Sequence, residues 1–143
     1  MPHATAGDGT RIAYELCGRE DGEPLVLIQG LSADRRGWLR QRGTLGERYR
    51  LLLIDNRGVG ESDRPPGPYD LGEMAADVVA VMDDAGWDSA HVMGASMGGV
   101  ISQILGVLPP ERVRSLVLAC TACRHETWRR ELLVGWKDTA LQG

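Results

Sequence analysis

A glycine-flanked serine at the end of an apolar run constrains the fold of this chain more than any other feature. The segment Gly94-Ala95-Ser96-Met97-Gly98-Gly99 is a Gly-x-Ser-x-Gly pattern. The residues before it are typical of a short buried strand, and those after it of an apolar helix that ends before two prolines. Small residues two positions before and after Ser96 allow a sharp turn that leaves its hydroxyl exposed. The pattern predicts a nucleophilic serine; an ordinary glycine-rich turn is the alternative.

The strand pattern predicts the fold class. The continuous apolar run at 24–28 is typical of a strand buried in a parallel sheet, and segments 51–55 and 113–119 are interpreted as two further buried strands. Residues 10–16 alternate apolar and polar side chains, which predicts a half-exposed strand. The turn at 7–9 would allow the preceding residues to pair with that strand as a hairpin.

Helical patterns separate these strands. Apolar spacing predicts a helix over 71–87 that ends near Gly86, and a second helix over 126–134 in the charged tail. Ser32 is a candidate N-cap for a helix that carries Trp38. Alternating strands and helices predict an α/β fold, with a mainly parallel sheet flanked by helices on both faces.

Composition favours one cytoplasmic domain. The chain has 143 residues and a net charge of −4, with no basic cluster, so neither nucleic acid nor a membrane is expected as a partner. No apolar run is long enough for a membrane span or a signal peptide.

Cys17, Cys120 and Cys123 form no disulfide framework, which fits a reducing compartment. The Cys120-x-x-Cys123 pair lacks a second ligand pair, so no metal is predicted.

A serine nucleophile needs a base and donors for the oxyanion. The Met97 amide lies at a helix N-terminus, where free N–H groups favour negative charge. The second donor should lie in the turn after an earlier strand, and the Leu31 amide, next to Gly30, is the best candidate. An ordinary strand-to-helix turn remains the alternative.

The base is harder to find. His3 lies near the N-terminus, and His91 is about 15 Å back along the strand that carries Ser96. His125 follows the neighbouring strand on the same side of the sheet and is the one histidine that could approach Ser96, but its position favours a surface role. Asp55 and Asp63 are candidate acids, but they have no histidine to orient.

Four segments carry a family resemblance. They are Leu25-Val26-Leu27-Ile28-Gln29-Gly30-Leu31, Asp55-Asn56-Arg57-Gly58-Val59-Gly60-Glu61-Ser62-Asp63, the Ser96 turn, and Pro110-Glu111-Arg112-Val113 leading into Leu116-Val117-Leu118. In order and spacing, the chain resembles the amino-terminal half of an α/β-hydrolase fold serine hydrolase. Within that family it looks most like small-molecule esterases and lactone hydrolases.

The resemblance implies an enzyme without a cofactor that cleaves a carboxylic ester, lactone or similar acyl bond. It implies Ser96 as the nucleophile, with the Leu31 and Met97 amides as the oxyanion hole. It also implies a structural loop over 55–63 with Arg57 stabilising the fold. Gln29 stands where the family commonly has histidine, which is a mild departure. A serine in place of an aspartate argues against the dehalogenase and epoxide hydrolase branches.

The resemblance also implies that part of the fold is missing. In the family, the triad acid and histidine follow the nucleophile on later strands, beyond a helical cap. We therefore expect residues 1–123 to be the amino-terminal part of the core, truncated before its last two strands. Residues 124–143 would be the start of a cap or a C-terminal helical tail.

Without those strands, the strand at 113–119 would be an exposed apolar edge. We expect it to self-associate or to pair with a complementary chain. A non-catalytic half-fold or binding module of this kind is the alternative function. A dinucleotide or P-loop domain is disfavoured, because the glycines around Ser96 fit neither phosphate-binding pattern.

Overall fold

The computed structural model describes residues 1–124 and 127–141. Within these ranges the strands are β1 (His3–Thr5), β2 (Arg11–Gly18), β3 (Glu23–Ile28), β4 (Tyr49–Ile54), β5 (Ala90–Ala95) and β6 (Val113–Ala119). The helices are α1 (Leu39–Gly46), α2 (Leu71–Asp84), α3 (Met97–Val107) and α4 (Thr127–Leu141), with short 3-10 helices at Arg35–Trp38 and Pro110–Arg112. None of the helices in the described ranges is both long enough and apolar enough to span a bilayer.

The described strands form one mixed, mostly parallel sheet in the order β1-β2-β4-β3-β5-β6. The four strands from β4 to β6 in that order run parallel to one another. β2 pairs antiparallel with β4, and β1 pairs antiparallel with β2. The predicted α/β class and the amino-terminal hairpin are therefore confirmed.

Two apolar layers cover the two faces of the sheet. Because side chains alternate along a strand, Val26 and Ile28 of β3 pack towards α2 and α3. Leu25 and Leu27 of the same strand pack on the opposite face, together with Trp38. All five side chains are at most 5% exposed. Strands buried on both faces explain the continuous apolar runs in the sequence.

The strand β6 has the predicted bounds, but it is not buried. It lies at the edge of the described sheet, with β5 as its neighbour on one side. Val117 and Leu118 are 49% and 45% exposed, and consecutive residues point to opposite faces. The prediction of a buried strand is wrong for β6, whereas the prediction of an exposed apolar edge is confirmed.

Two helix predictions are also corrected. Ser32 caps no helix; it has a φ of 62° in the turn after β3. The cap is Asp34, whose carboxylate accepts a hydrogen bond from the Arg36 amide at 2.9 Å before the first 3-10 helix.

In the tail, α4 reaches Leu141 and is longer than the 126–134 predicted. Apolar spacing located that helix, but its charged residues carried no stop signal.

α2 agrees better with its prediction. It begins at a capping box in which Asp70 accepts from the first turn and the Glu73 carboxylate accepts from the Asp70 amide. The chain turns away at Gly86, whose φ is 74°.

A buried ion pair joins the loop after β4 to α2. The guanidinium of Arg57 donates two hydrogen bonds to the Asp77 carboxylate, at 2.7 and 2.8 Å. Arg57 is 5% exposed and Asp77 is 2% exposed. Hydrogen bonding to Asp77 raises the pKa of Arg57 above its ordinary value, although burial opposes the shift. Asp8 and Glu73 add weaker contacts at 3.1 and 3.3 Å.

We predict that Asp77→Ala lowers the free energy of unfolding by about 3–5 kcal/mol, because it leaves the buried Arg57 charge without its main partner. Glu73→Gln is the matched control. Its carboxylate contacts the same guanidinium but is 55% exposed, so the loss should be about 1 kcal/mol or less. Urea unfolding followed by circular dichroism measures both. Equal losses would contradict a structural role for the buried pair.

Candidate active site

Ser96 lies in the sharp turn between β5 and α3. Its φ of 52° and ψ of −117° are unusual for a residue with a side chain. Such a conformation is strained, and it persists only where the surrounding packing enforces it. The residue is exposed, and its hydroxyl has no hydrogen-bond partner among the described residues. The turn therefore presents a free hydroxyl at the carboxyl end of the sheet.

Two glycines make this turn possible because backbone atoms pass close to them. A Cβ on Gly94 would lie 2.2 Å from the carbonyl oxygen of Gly98. A Cβ on Gly98 would lie 2.2 Å from the carbonyl oxygen of Ile28, at the end of β3. Any side chain at either position would force the backbone apart. The glycine spacing thus brings the start of α3 against the end of β3.

The same packing brings Gly30 next to the serine. A Cβ on Gly30 would be 3.0 Å from Ser96 Cβ and 3.5 Å from its Oγ. The Gly30 amide donates to the Gln29 side-chain oxygen at 3.2 Å. The amides of Leu31 and Met97 have no partner among the described residues. These two free N–H groups lie on the segments that flank Ser96.

The loop that carries Leu31 is anchored on both sides by residues that follow β4. Asn56 donates its side-chain amide to the Gln29 carbonyl at 3.1 Å. Asp55 accepts from the Arg35 amide at 2.8 Å and also pairs with the Arg35 guanidinium. The anchors bracket Leu31, so the position of its amide depends on the loop after β4.

Asp55 is fully buried, and its pairing with Arg35 is part of a larger ionic contact. The Asp55 carboxylate also accepts from the Glu61 amide at 2.9 Å. Burial alone would lower the pKa of Arg35, but hydrogen bonds to Glu61 and Asp55 raise it above the ordinary value. Sequence reasoning missed Arg35, because its partner lies 20 residues further along the chain.

Neither described histidine lies near the serine. His3 is in β1, where its ring contacts the Met1 and Glu61 carbonyls. His91 is near the start of β5, at the far end of the strand from Ser96. His125 lies outside the described residues. Of the two candidate acids, Asp55 pairs with Arg35, and Asp63 accepts from the Arg11 amide at 2.9 Å.

His91 instead connects a serine and a carboxylate near the amino-terminal ends of the strands, whereas Ser96 lies at their carboxyl ends. Its Nδ1 lies 2.7 Å from Ser115 Oγ, and its Nε2 lies 3.0 Å from the Glu23 carboxylate. His91 and Ser115 are register partners on β5 and β6, which brings the two side chains together. Neither of the cavities found near Ser96 includes these residues.

A cavity of about 410 Å³ opens onto Ser96. Leu31 and Met97 line it beside the serine. Trp38, a few residues after Leu31, is instead buried with Leu25 and Leu27 in the core on one face of the sheet. Further walls come from positions that sequence reasoning did not identify, namely Val100, Ala122, Leu132, Leu133 and Trp136.

A smaller cavity of about 220 Å³ adjoins the first at Leu31 and Met97. Its walls include polar side chains of Ser32, Asn56 and Arg57 from the two anchored loops. Leu31 and Met97, which carry the two free N–H groups, thus border both cavities.

The fold and this turn define an α/β protein with an exposed serine at a strand-to-helix corner. The family model described as alpha/beta hydrolase fold matches residues 23–141. The chain belongs to the α/β-hydrolase fold family.

Curated relatives support this assignment. The chain is 40% identical over 118 residues to the protein named "Putative carbamate hydrolase RutD" of Azorhizobium caulinodans, covering 82% of this chain and 43% of that protein. It is 32% identical over 111 residues to 3-oxoadipate enol-lactonase 2 of Acinetobacter baylyi, covering 78% and 42%. The chain thus spans less than half the length of these two relatives.

A solved structure agrees with the fold. The enol-lactonase from Burkholderia xenovorans LB400 superposes with a TM-score of 0.84 at 30% identity, covering 98% of this chain and 58% of that one.

We predict opposite effects for alanine at two helical glycines. Gly98→Ala should lower the free energy of unfolding by about 1–3 kcal/mol or more, because its Cβ would collide with the end of β3. Gly43→Ala in α1 meets nothing within 4 Å and should stabilise the chain by up to about 1 kcal/mol. Denaturant unfolding distinguishes them. If Gly98→Ala left the free energy of unfolding unchanged, α3 and β3 would not be in close contact.

Proposed function

We propose that Ser96 is the nucleophile of a serine hydrolase that acts on a carboxylic ester, lactone or similar acyl bond. The observation that carries the proposal is the strained turn that holds an exposed serine hydroxyl beside a cavity and two free amides. The chain's membership of the α/β-hydrolase family, and its likeness to an enol-lactonase, support the same reaction class.

In the proposed reaction, Ser96 Oγ attacks the carbonyl carbon of the substrate while a base takes the hydroxyl proton. The carbonyl oxygen becomes negative and accepts hydrogen bonds from the amides of Leu31 and Met97. The alcohol leaves with a proton from the protonated base, and Ser96 keeps the acyl group. Water then attacks the acyl group and releases the acid, which restores the serine hydroxyl. The residues named need no cofactor for these steps.

We further propose that the base and the acid that orients it come from a complementary segment rather than from the described residues. His3 and His91 are held elsewhere by the contacts given above. In this proposal residues 1–123 form the amino-terminal part of the core, and residues 124–143 begin a cap. The contribution of α4 to the walls of the Ser96 cavity supports the cap assignment. The free thiols of Cys17, Cys120 and Cys123 fit a cytoplasmic location.

We predict that a fluorophosphonate probe labels Ser96 slowly in the isolated chain, and that added imidazole accelerates the labelling. In this proposal imidazole supplies the base, and the turn and the two amides supply the rest. The effect should require neutral imidazole, so it should fade as the pH falls below the pKa of free imidazole. Mass spectrometry of the labelled peptide measures the rate at each serine.

Two variants control this experiment. Ser96→Ala should abolish the imidazole-dependent label. Ser115→Ala should leave it unchanged, because Ser115 has a histidine neighbour but lies within β6 rather than in a strand-to-helix turn. A folded chain whose Ser96 reacts no faster than its other exposed serines, with or without imidazole, would refute the nucleophile assignment.

The exposed edge of β6 favours a second candidate function, that of a half-fold that pairs with another chain. An apolar edge strand presents unpaired backbone groups that template a further strand. We propose that in the isolated protein this strand comes from a second copy of the chain. Val117 and Leu118 are exposed on the two faces of β6, so packing of a second copy against β6 would bury apolar side chains on both faces.

We predict that Val117→Lys shifts the isolated chain from associated species towards monomer, because lysine on an edge strand disfavours further pairing. Val107→Lys is the matched control. Val107 is 68% exposed but belongs to α3, so the same charge there should leave association unchanged. Sedimentation velocity over a range of concentrations measures the effect. A wild-type chain that stays monomeric throughout would exclude pairing between copies.

A further inference from the structure

The cavity that opens onto Ser96 has walls of one chemical kind. Five separate segments contribute to it, and apart from Ser96, Cys120 and Thr121 the described residues that line it are apolar. None of these lining residues carries a charge. Ligand sites of this composition bind through apolar contact, and a few polar groups fix the orientation.

Several of the large apolar side chains that line this cavity are unusually exposed to solvent. Leu31 is 60% exposed, and Trp136 on α4 is 58% exposed. Leu132 and Leu133, on the same helix, are 45% and 38% exposed. Apolar side chains clustered around an opening typically mark a binding site, because covering them removes apolar surface from water. The cluster surrounds the candidate nucleophile, which favours a small-molecule occupant.

The size of the cavity narrows the class of occupant. An apolar cavity of about 150 Å³ is enough to hold benzene. At about 410 Å³, the cavity beside Ser96 can hold a considerably larger group. It also lies within the range of about 300–1,000 Å³ that is usual for small-molecule sites.

The lack of charge on the described walls of the cavity also limits which kind of group can bind there. A carboxylate placed against these walls would lose its hydration without gaining a cationic partner among the lining residues that the structure describes, which is costly. The net charge of −4 adds long-range repulsion of anions.

We propose that this cavity binds an uncharged apolar group, a medium-length alkyl chain or an aryl group larger than a single ring, next to the reacting carbonyl. That the carbonyl belongs to an ester or lactone rests on the proposed function of Ser96. The apolar selectivity rests only on the walls of the cavity. The favoured substrates are therefore neutral esters or lactones with such a group, and dicarboxylic substrates are disfavoured.

Methyl ketones from butanone to decanone test this selectivity, because they carry the carbonyl and the alkyl chain but have no leaving group. Affinity for the full chain, measured by protein-observed NMR, should rise about fourfold for each added methylene until the cavity is full. Keto acids of matched length, with a terminal carboxylate, should bind at least about tenfold more weakly. Affinity that does not change with chain length, or equal binding of the keto acids, would overturn the proposal.

Two substitutions on α4 locate the binding site. Leu133→Gln, in the wall of the cavity, should weaken octanone binding about tenfold. Leu141→Gln makes the same change on the same helix, but Leu141 is 75% exposed and lies outside the cavity, so affinity should not change. Equal effects of the two variants would contradict binding in this cavity.

These results are separable from the fate of the nucleophile assignment. Length-dependent ketone binding without labelling of Ser96 would support the apolar site and refute the proposed hydrolase. Labelling of Ser96 without length-dependent binding would support Ser96 as the nucleophile and refute the apolar site.

Discussion

The close approach of α3 to β3 is the constraint on which the candidate site depends. Gly98 leaves no room for a side chain against the Ile28 carbonyl, so the first turn of α3 abuts the end of the neighbouring strand. That contact brings the Met97 amide, the Ser96 hydroxyl and the loop after β3 into one small region. The strained backbone of Ser96 follows from the same geometry, because the chain must reverse direction within a single residue. Packing of backbone against backbone therefore creates the turn at the candidate site.

Hydrogen bonds and an ion pair hold the loop after β3, which carries Leu31. The loop with Leu31 has little apolar anchoring of its own, since Leu31 is largely exposed. Asn56 and Asp55 bind it on either side of that residue, and Asp55 is itself fully buried. Burial strengthens such contacts and makes an unpaired partner costly, which favours one loop conformation. The segment 55–63 thus acts on the site through the loop that it positions.

Local patterns in the sequence predicted those parts of the fold that depend on local physics. Apolar segments predicted β3, β4 and β6 to within two residues at each end, and the glycine spacing predicted the turn at Ser96. The burial of β6 was predicted wrongly, because an apolar run reports what a strand prefers to contact and not whether a neighbour is present. Ser32 was predicted as a cap from residue type alone, yet the chain turns there with positive φ and uses Asp34 two residues later.

Contacts between distant segments lay beyond sequence reasoning. Nothing near Arg35 indicates that its partner is Asp55, and nothing in the apolar pattern of α4 indicates that its leucines line the same cavity as Leu31. Trp38 follows the same strand as Leu31, yet it ends the first 3-10 helix and packs in the core with Leu25 and Leu27, away from the cavity at Ser96.

The contact between Ser115, His91 and Glu23 bears on how active sites are recognised in folds of this kind. A search that scored only the distances among a serine, a histidine and a carboxylate would select this cluster and pass over Ser96. Yet Ser115 lies within β6, next to an irregularity in the register, and its pairing with His91 explains the distance between the two side chains. Proximity of the three residue types is here a by-product of strand pairing. Backbone conformation at the serine distinguishes the two positions, and it is encoded by glycines rather than by the reactive residues.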